Sequence, residues 1–348
     1  MTQTRITLFD CTLRDGSYQI DFGFDANHTY ALVQHLEEAG VDEIEVGHGL
    51  GLGAERSGTA PAGESDARYM AAARMAARKA RIGVFAMPAF ATLDDIGAAK
   101  DAGMDFLRFG VDAAKLETAE PFVRHAVELG LSTTVFLMKT YTLPVAELRR
   151  KAHLFEAWGA EAVAIVDSAG GMIPAQVRNY VRAITDKTKL KVAFHGHNNF
   201  QLAVGNAFAA IEAGATILDA SLKGMGRSSG NAQIEVLAAG LKRAGYQVNA
   251  DPMELAFVAD KFITRAEFEG GITTTDLVQA MGLVHSGMQG KIDRAASEFG
   301  VDAKLLTLKV GRLGGGLDLD LNAVRAAAQI LVWEKEDGVA AEDIAHAI

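Results

Sequence analysis

Two short stretches hold the side chains best able to do chemistry. FHGHNN (194–199) sets His195 and His197 one residue apart, and on a strand that spacing turns both imidazoles to the same face. DCTLRDGS (10–17) places Arg14 beside Asp15 directly after another apolar run. Two neutral imidazoles and a carboxylate form a facial donor set that leaves coordination positions open. Mixed nitrogen and oxygen ligation suits Mn²⁺ first, with Co²⁺ or Mg²⁺ next and Zn²⁺ or Fe²⁺ as further options. A 2-oxo acid can fill two open positions through its carboxylate and keto oxygen, and the cation then acts as a Lewis acid toward the enolate. Arg14 offers a fixed positive charge for the same oxygen. Taken alone, an H-x-H is more often a hydrogen-bonded pair near a strand end, and Arg14–Asp15 can be a rim ion pair. The chemistry exists only if the fold brings the two stretches together.

The elements around them make that possible. Eight β-rich apolar runs, at 5–11, 43–47, 81–87, 105–110, 132–138, 162–167, 191–197 and 216–222, alternate with amphipathic stretches such as 28–40, 66–80 and 202–214. Several of those stretches close on a glycine, as helix C-termini do. Near-continuous apolar strands alternating with helices imply a parallel sheet covered on both faces. Eight such units fit the roughly 250 residues of a (β/α)8 TIM barrel. A doubly wound sheet would carry a G-x-G-x-x-G turn after its first strand, and TLRDGSYQ is not one. The spacing predicts an α/β chain with a barrel over 1–248 and a smaller helical domain over 249–348, the latter with helices in 251–268, 274–300 and 321–336. Active sites of barrels lie at the C-terminal strand ends. His195 and His197 end the seventh strand there, and Asp15 follows the first.

Composition narrows the class. The chain has 348 residues, 49% of them apolar, with a formal net charge of −10. That charge argues against nucleic acid or anionic membrane as a partner. A single cysteine, Cys11, excludes an internal disulfide and suits a reducing compartment. No signal-like segment and no apolar run of ~18 residues stands out, so a cytoplasmic, non-membrane protein is expected.

Five segments, TLRDGS, IEVGHG, VDSAGG, HGHNN and DASLKGMGRSSGNAQIE, resemble the divalent-metal pyruvate aldolases that cleave 4-hydroxy-2-oxovalerate. These belong to the wider group of barrel metallolyases that includes isopropylmalate and homocitrate synthases and hydroxymethylglutaryl-CoA lyase. The resemblance runs from residue 5 to about 320. It implies Asp15, His195 and His197 as metal ligands, Arg14 as the stabiliser of the pyruvate enolate and Ser168 as a contact to bound pyruvate. Phe85 and Met87 would line the aldehyde end. Glu45 reads as a group behind the ligands and His48 as a loop residue outside them. Family members commonly work with an acylating aldehyde dehydrogenase, a partner the resemblance makes possible here. Self-association is expected from the apolar helix NAVRAAAQILVW.

The sequence also departs from that pattern. Where the family usually has a histidine after RDGS, taken as base for the 4-hydroxyl, this chain has Tyr18. In MGLVHSGM, where the family usually has a tyrosine, it has His285. A phenol near pKa ~10 is a poorer base at neutral pH than an imidazole near ~6.5, so His285 is the expected proton-transfer group and Tyr18 an orienting hydroxyl. The expected activity is reversible cleavage of a 4-hydroxy-2-oxo acid to pyruvate and an aldehyde. The alternatives are an acyl-CoA/2-oxo acid Claisen-type condensing enzyme or lyase of the same group, an Fe(II) oxygenase, and a non-catalytic barrel.

Overall fold

The computed structural model describes residues 4–58, 61–264, 268 and 270–336. Eight parallel strands close into a barrel in chain order. They are β1 (Thr7–Asp10), β2 (Glu43–Val46), β3 (Arg81–Ala86), β4 (Phe106–Asp112), β5 (Ser132–Met138), β6 (Ala162–Asp167), β7 (Lys191–Gly196) and β8 (Ile217–Ala220). Seven of the expected runs contain one strand whole; β4 begins in the fourth run and continues two residues beyond it. The surrounding helices are α1 (Ala26–Glu38), α2 (Asp66–Ala76), α3 (Leu93–Asp101), α4 (Glu120–Glu128), α5 (Val145–Ala157), α6 (Pro174–Thr185), α7 (Ala203–Glu212) and α8 (Ile234–Arg243).

The strands are apolar throughout because their two faces meet two different cores. Along β6, Val163 and Ile165 pack outward with the helices while Ala162, Ala164 and Val166 join an inner cluster with Phe9, Phe85, Phe106 and Phe136. The same alternation on β7 sends Val192 and Phe194 out and Ala193 in. His195 therefore shares the inward register of Ala193. By this count Glu45 of β2, Arg108 of β4 and Asp219 of β8 also point into the barrel, since their strand neighbours belong to the outer core. β8 pairs with both β1 and β7, so one strand separates the loop carrying Asp15 from the histidines.

The remaining helices are α9 (Pro252–Phe262), α10 (Thr274–Gly282), α11 (Gln289–Phe299), α12 (Ala303–Gly314) and α13 (Leu321–Glu336). Leu255, Val258 and Ala259 of α9, with Ile263, belong to the barrel's outer core, whereas Val284, Met288, Ile292, Leu306, Val310, Val324 and Leu331 form a separate cluster. Three local expectations differ from what is observed. The helix expected over 274–300 is broken: Leu283 adopts φ +51°, and a short 3-10 turn at Ser286–Met288 follows with His285 as its N-cap. The end of α10 packs directly on α12 there, since a Cβ on Gly311 would lie 2.2 Å from the Gly282 carbonyl oxygen. Helix α12 itself was not expected; Asp302 caps its N-terminus by accepting from the N–H groups of Lys304 and Leu305. Helix α2 stops at Ala76 rather than 80 because Glu37 Oε2 accepts from the N–H groups of Arg78, Lys79 and Ala80 and draws them out of the helix. Residues 265–267 of the expected 251–268 helix, and 337–348, lie outside the described residues. No helix among the described residues is long and apolar enough to cross a membrane.

Candidate active site

At the C-terminal mouth of the barrel, Asp15, His195 and His197 bring one ligand atom each within 4.8 Å of one another, and all three are buried. Asp15 follows β1 on a loop that Asp10 helps shape by accepting from the N–H and hydroxyl of Thr12. His195 Nδ1 lies 3.0 Å from Asp219 Oδ2, and His197 Nδ1 lies 3.3 Å from the Gly230 carbonyl. Both contacts fix the ring through Nδ1 and leave Nε2 as the free donor, the arrangement that holds metal-binding histidines in place. Burial holds the His197 imidazole down to about 4, against the raising influence of Asp15, so at neutral pH it is in the form a cation needs. Burial alone would raise the Asp15 carboxyl, but Arg14 and the two histidines keep it well below the usual carboxylate range. Asn231 Nδ2 donates to Asp15 Oδ2 at 2.8 Å, while its buried Oδ1 has no partner. A partnerless oxygen beside two imidazoles and a carboxylate is chemistry suited to a divalent cation.

Behind the donors runs a chain of buried charge. Arg14 Nε donates to Glu45 Oε2 at 2.6 Å and its Nη1 to Asp15 Oδ1 at 2.7 Å. Glu45 in turn accepts from Arg108 Nε at 2.8 Å and Nη2 at 2.7 Å. Arg108 Nη1 donates to Asp219 Oδ2, the oxygen that also holds His195. Two of the three donor side chains are thus connected through four charged groups in the barrel lumen. Arg14 rests on the Phe85 ring at 4.6 Å and Arg108 on Phe9 at 3.8 Å. The Arg14 Nη2 is buried without a partner.

A cavity of about 270 Å³ opens over this cluster, and its wall includes Arg14, Asp15, Tyr18, Phe85, Met87, Ser168, His195, His197 and His285. All nine of these were singled out from the sequence. Ser168 Oγ accepts from the Lys139 N–H at 2.9 Å, which leaves its own proton to donate. Glu45 sits behind the cluster, as expected. His48 stacks on Phe22 with 4.0 Å between ring centroids and accepts from Leu50 N–H, while Gly49 and Leu50 reach the cavity. Burial, opposed by Arg227, pushes the Tyr18 phenol above its ordinary value. Burial and the cations Arg227 and Lys139 hold His285 well below the usual histidine range.

Sequence reasoning missed Arg108, Asp219 and Asn231, and also Arg227, Lys139, Asp112 and Asp318 of the cavity wall. Glu45, Arg108 and Asp219 did leave a signal: each is a charge set between apolar neighbours on a strand, in EIEV, FLRFG and ILDA. Asp318 left none, because its place depends on the helices that carry it back to the mouth.

Fold and donor cluster together define a (β/α)8 barrel with a candidate divalent-metal site at its mouth. The HMGL-like family model matches residues 5–261, and the chain belongs to that family. It is 38% identical over 315 residues to 4-hydroxy-2-oxovalerate aldolase 2 of Nocardia farcinica, covering 90% of this chain and 91% of that one. It is 34% identical over 322 residues to 4-hydroxy-2-oxovalerate aldolase of Carboxydothermus hydrogenoformans, covering 90% and 95%. Among solved structures, the N-terminal domain of a putative aldolase from Bacteroides vulgatus matches with a TM-score of 0.69 at 23% identity, covering 85% of this chain and 98% of that one. The HMG-CoA lyase from Brucella melitensis matches with a TM-score of 0.63 at 18% identity, covering 74% and 97%. At those identities the two structures speak for the fold alone.

Proposed function

We propose that the chain is a divalent-metal pyruvate aldolase, cleaving a 4-hydroxy-2-oxo acid reversibly to pyruvate and an aldehyde. The observation that carries this reading is the Asp15, His195 and His197 cluster facing a closed-in cavity, in a chain whose relatives along nine-tenths of its length are named as such aldolases. Asp15, His195 and His197 would hold the metal, with Mn²⁺ the expected ion and Co²⁺ or Mg²⁺ as substitutes. Bound there, the cation supplies Lewis acidity to the keto oxygen of the pyruvate unit.

The chain's own groups do the rest. In cleavage the C4 hydroxyl loses its proton and the C3–C4 bond breaks. Its electron pair passes toward the C2 oxygen, and C3 is then protonated to the methyl of pyruvate. The unpartnered Arg14 Nη2 is placed to donate to the C2 oxygen as negative charge grows there. Ser168 donates its hydroxyl proton to the substrate carboxylate. Phe85 and Met87 bound the aldehyde end. His285, neutral at pH 7, takes the C4 proton at its unprotonated ring nitrogen in cleavage and returns it in condensation. Its Nδ1 lies 3.4 Å from the Gly287 nitrogen, long for a hydrogen bond, so that contact does not fix which ring nitrogen carries the proton. Tyr18, its phenol raised, keeps its proton and orients the hydroxyl.

Turnover of 4-hydroxy-2-oxovalerate with Mn²⁺, followed as pyruvate before and after chelation, tests the reading. Absence of pyruvate with every divalent ion tried would overturn it. Asp15→Ala, His195→Ala and His197→Ala should each lose metal binding and nearly all turnover, since each removes a ligand; unchanged metal content in all three would dismiss the ligand set. We further propose the division into a catalytic barrel over 1–248 and a helical unit over 249–348, a cytoplasmic location, and self-association through α13, where Trp333 is 56% exposed. Engagement of an acylating aldehyde dehydrogenase rests on the family resemblance; co-purification and sizing chromatography check both contacts.

A further inference from the structure

The cations lining the cavity are not equally satisfied. Arg14 is answered by Asp15 and Glu45, and Lys139 by Asp112 and Asp318, each at 2.9 Å. Arg227 is different. Its guanidinium lies 4.9 Å over the Tyr18 ring, and among the described residues its side chain is paired with no carboxylate. The head group also borders the His285 turn, where a Cβ on Gly287 would fall 2.9 Å from Arg227 Nη2.

The backbone beneath it is held on every side. Arg227 N–H points at Asp15 Oδ2 at 3.4 Å, and Gln19 Nε2 donates to the Gly226 and Ser228 carbonyls that flank it. Ser228, at φ +57°, donates to Asp276 Oδ1 at 2.7 Å and accepts from Asn199 Nδ2 at 2.9 Å. Gly226 has no room for a side chain, because a Cβ would lie 2.3 Å from Asn231 Nδ2. A fixed loop thus delivers a guanidinium to the cavity wall, where it meets the Tyr18 phenol and, among the described residues, no carboxylate, so part of its fork of donors remains for a planar anion.

We propose that Arg227 binds a carboxylate on the aldehyde-derived part of the substrate, making the preferred substrates 4-hydroxy-2-oxo acids with a second carboxylate and the aldehyde product itself an oxo acid. The inference rests on the pyruvate-aldolase reading. It follows from which wall Arg227 occupies: Tyr18 and His285, its neighbours, are the pair assigned to the C4 hydroxyl, and the aldehyde substituent is attached to that same carbon. The carboxylate of the pyruvate unit is already assigned, to the Ser168 hydroxyl.

The test uses the full Mn²⁺-loaded chain in the condensation direction, with pyruvate and either carboxylate-bearing aldehydes (glyoxylate, succinic semialdehyde) or neutral ones (acetaldehyde, butanal). Wild type should favour the carboxylate-bearing aldehydes in kcat/KM. Arg227→Ala should lower that preference by about 10²-fold, the scale of a lost charged hydrogen-bond pair to substrate, and Arg227→Lys, which keeps the charge without the fork, should lower it less. Exchange of the pyruvate methyl protons is followed in the same samples. No exchange in wild type overturns the aldolase reading; exchange with neutral aldehydes preferred, or with a preference unmoved by Arg227→Ala, overturns this inference alone. Should Arg227→Ala fail to fold, Arg227→Lys decides by the same ratio.

Discussion

The Arg14 guanidinium is held by Asp15 and Glu45 and lies on the Phe85 ring, so the two residues assigned to the aldehyde end differ in what they support. Met87→Ala should widen acceptance of longer aldehydes, with each added methylene shifting relative kcat/KM by about 10- to 200-fold. Phe85→Ala should do the same and also lower kcat with short aldehydes, because Arg14 loses its platform; equal effects of the two changes would show that Phe85 acts by volume alone. The exchanged pair at 18 and 285 makes a second comparison. His285 is held below its ordinary value by burial and by Arg227 and Lys139. Its basic form is therefore present throughout the neutral range and is lost only as pH falls through a value below 6.5, which places the acidic limb of the rate profile there. His285→Ala should cut kcat by roughly 10²- to 10⁴-fold and abolish that limb, and Tyr18→Phe should cost less, since a raised phenol was never the base. A His285→Ala enzyme with normal turnover would make the exchange incidental.

At the scale of elements, the loop after β8 carries Gly226, Arg227, Ser228 and Asn231 against the Asp15 loop. Gly226→Ala would drive a methyl group to 2.3 Å from Asn231 Nδ2 and 2.9 Å from Asp15 Oδ2, and the donors must move. Metal affinity should fall by about 10- to 100-fold, as when a group supporting a ligand is lost, with little change in far-UV circular dichroism; unaltered affinity would show that the loop yields. Much of this level was legible in the sequence. The strands could be read because both of their faces are buried, and the H-x-H register follows once β7 is known. The lumen charges Glu45, Arg108 and Asp219 were not read as a network because their partners are 63 and 111 residues apart and only barrel closure brings them together. The break that frees His285 was hidden for a related reason: residues 274–300 keep helical spacing, and the turn at 283 lies where α10 packs on α12.

At the scale of the whole molecule, the segment between α12 and α13 returns to the barrel mouth and helps to close the cavity. Asp318 Oδ2 meets Lys139 Nζ at 2.9 Å, and the neighbouring Leu319 carbonyl accepts from Lys291 Nζ of α11 at 2.9 Å. The segment is thereby tied both to the end of β5 and to the cluster that carries His285. Lys139 is almost fully buried while Asp318 is 43% exposed, so the pair is worth little to global stability, about 1 kcal/mol or less. Its effect should instead be local. Asp318→Asn leaves Lys139 its bond to Asp112 and the barrel its core, so Tm should move little. Amide exchange over 316–320 should quicken, and KM for the 2-oxo acid should rise several-fold with kcat less affected, because the cavity wall opens more often without losing a group that handles protons. Exchange rates equal to wild type would mean that Lys291 alone holds the segment, and that the Lys139 contact contributes charge balance rather than closure.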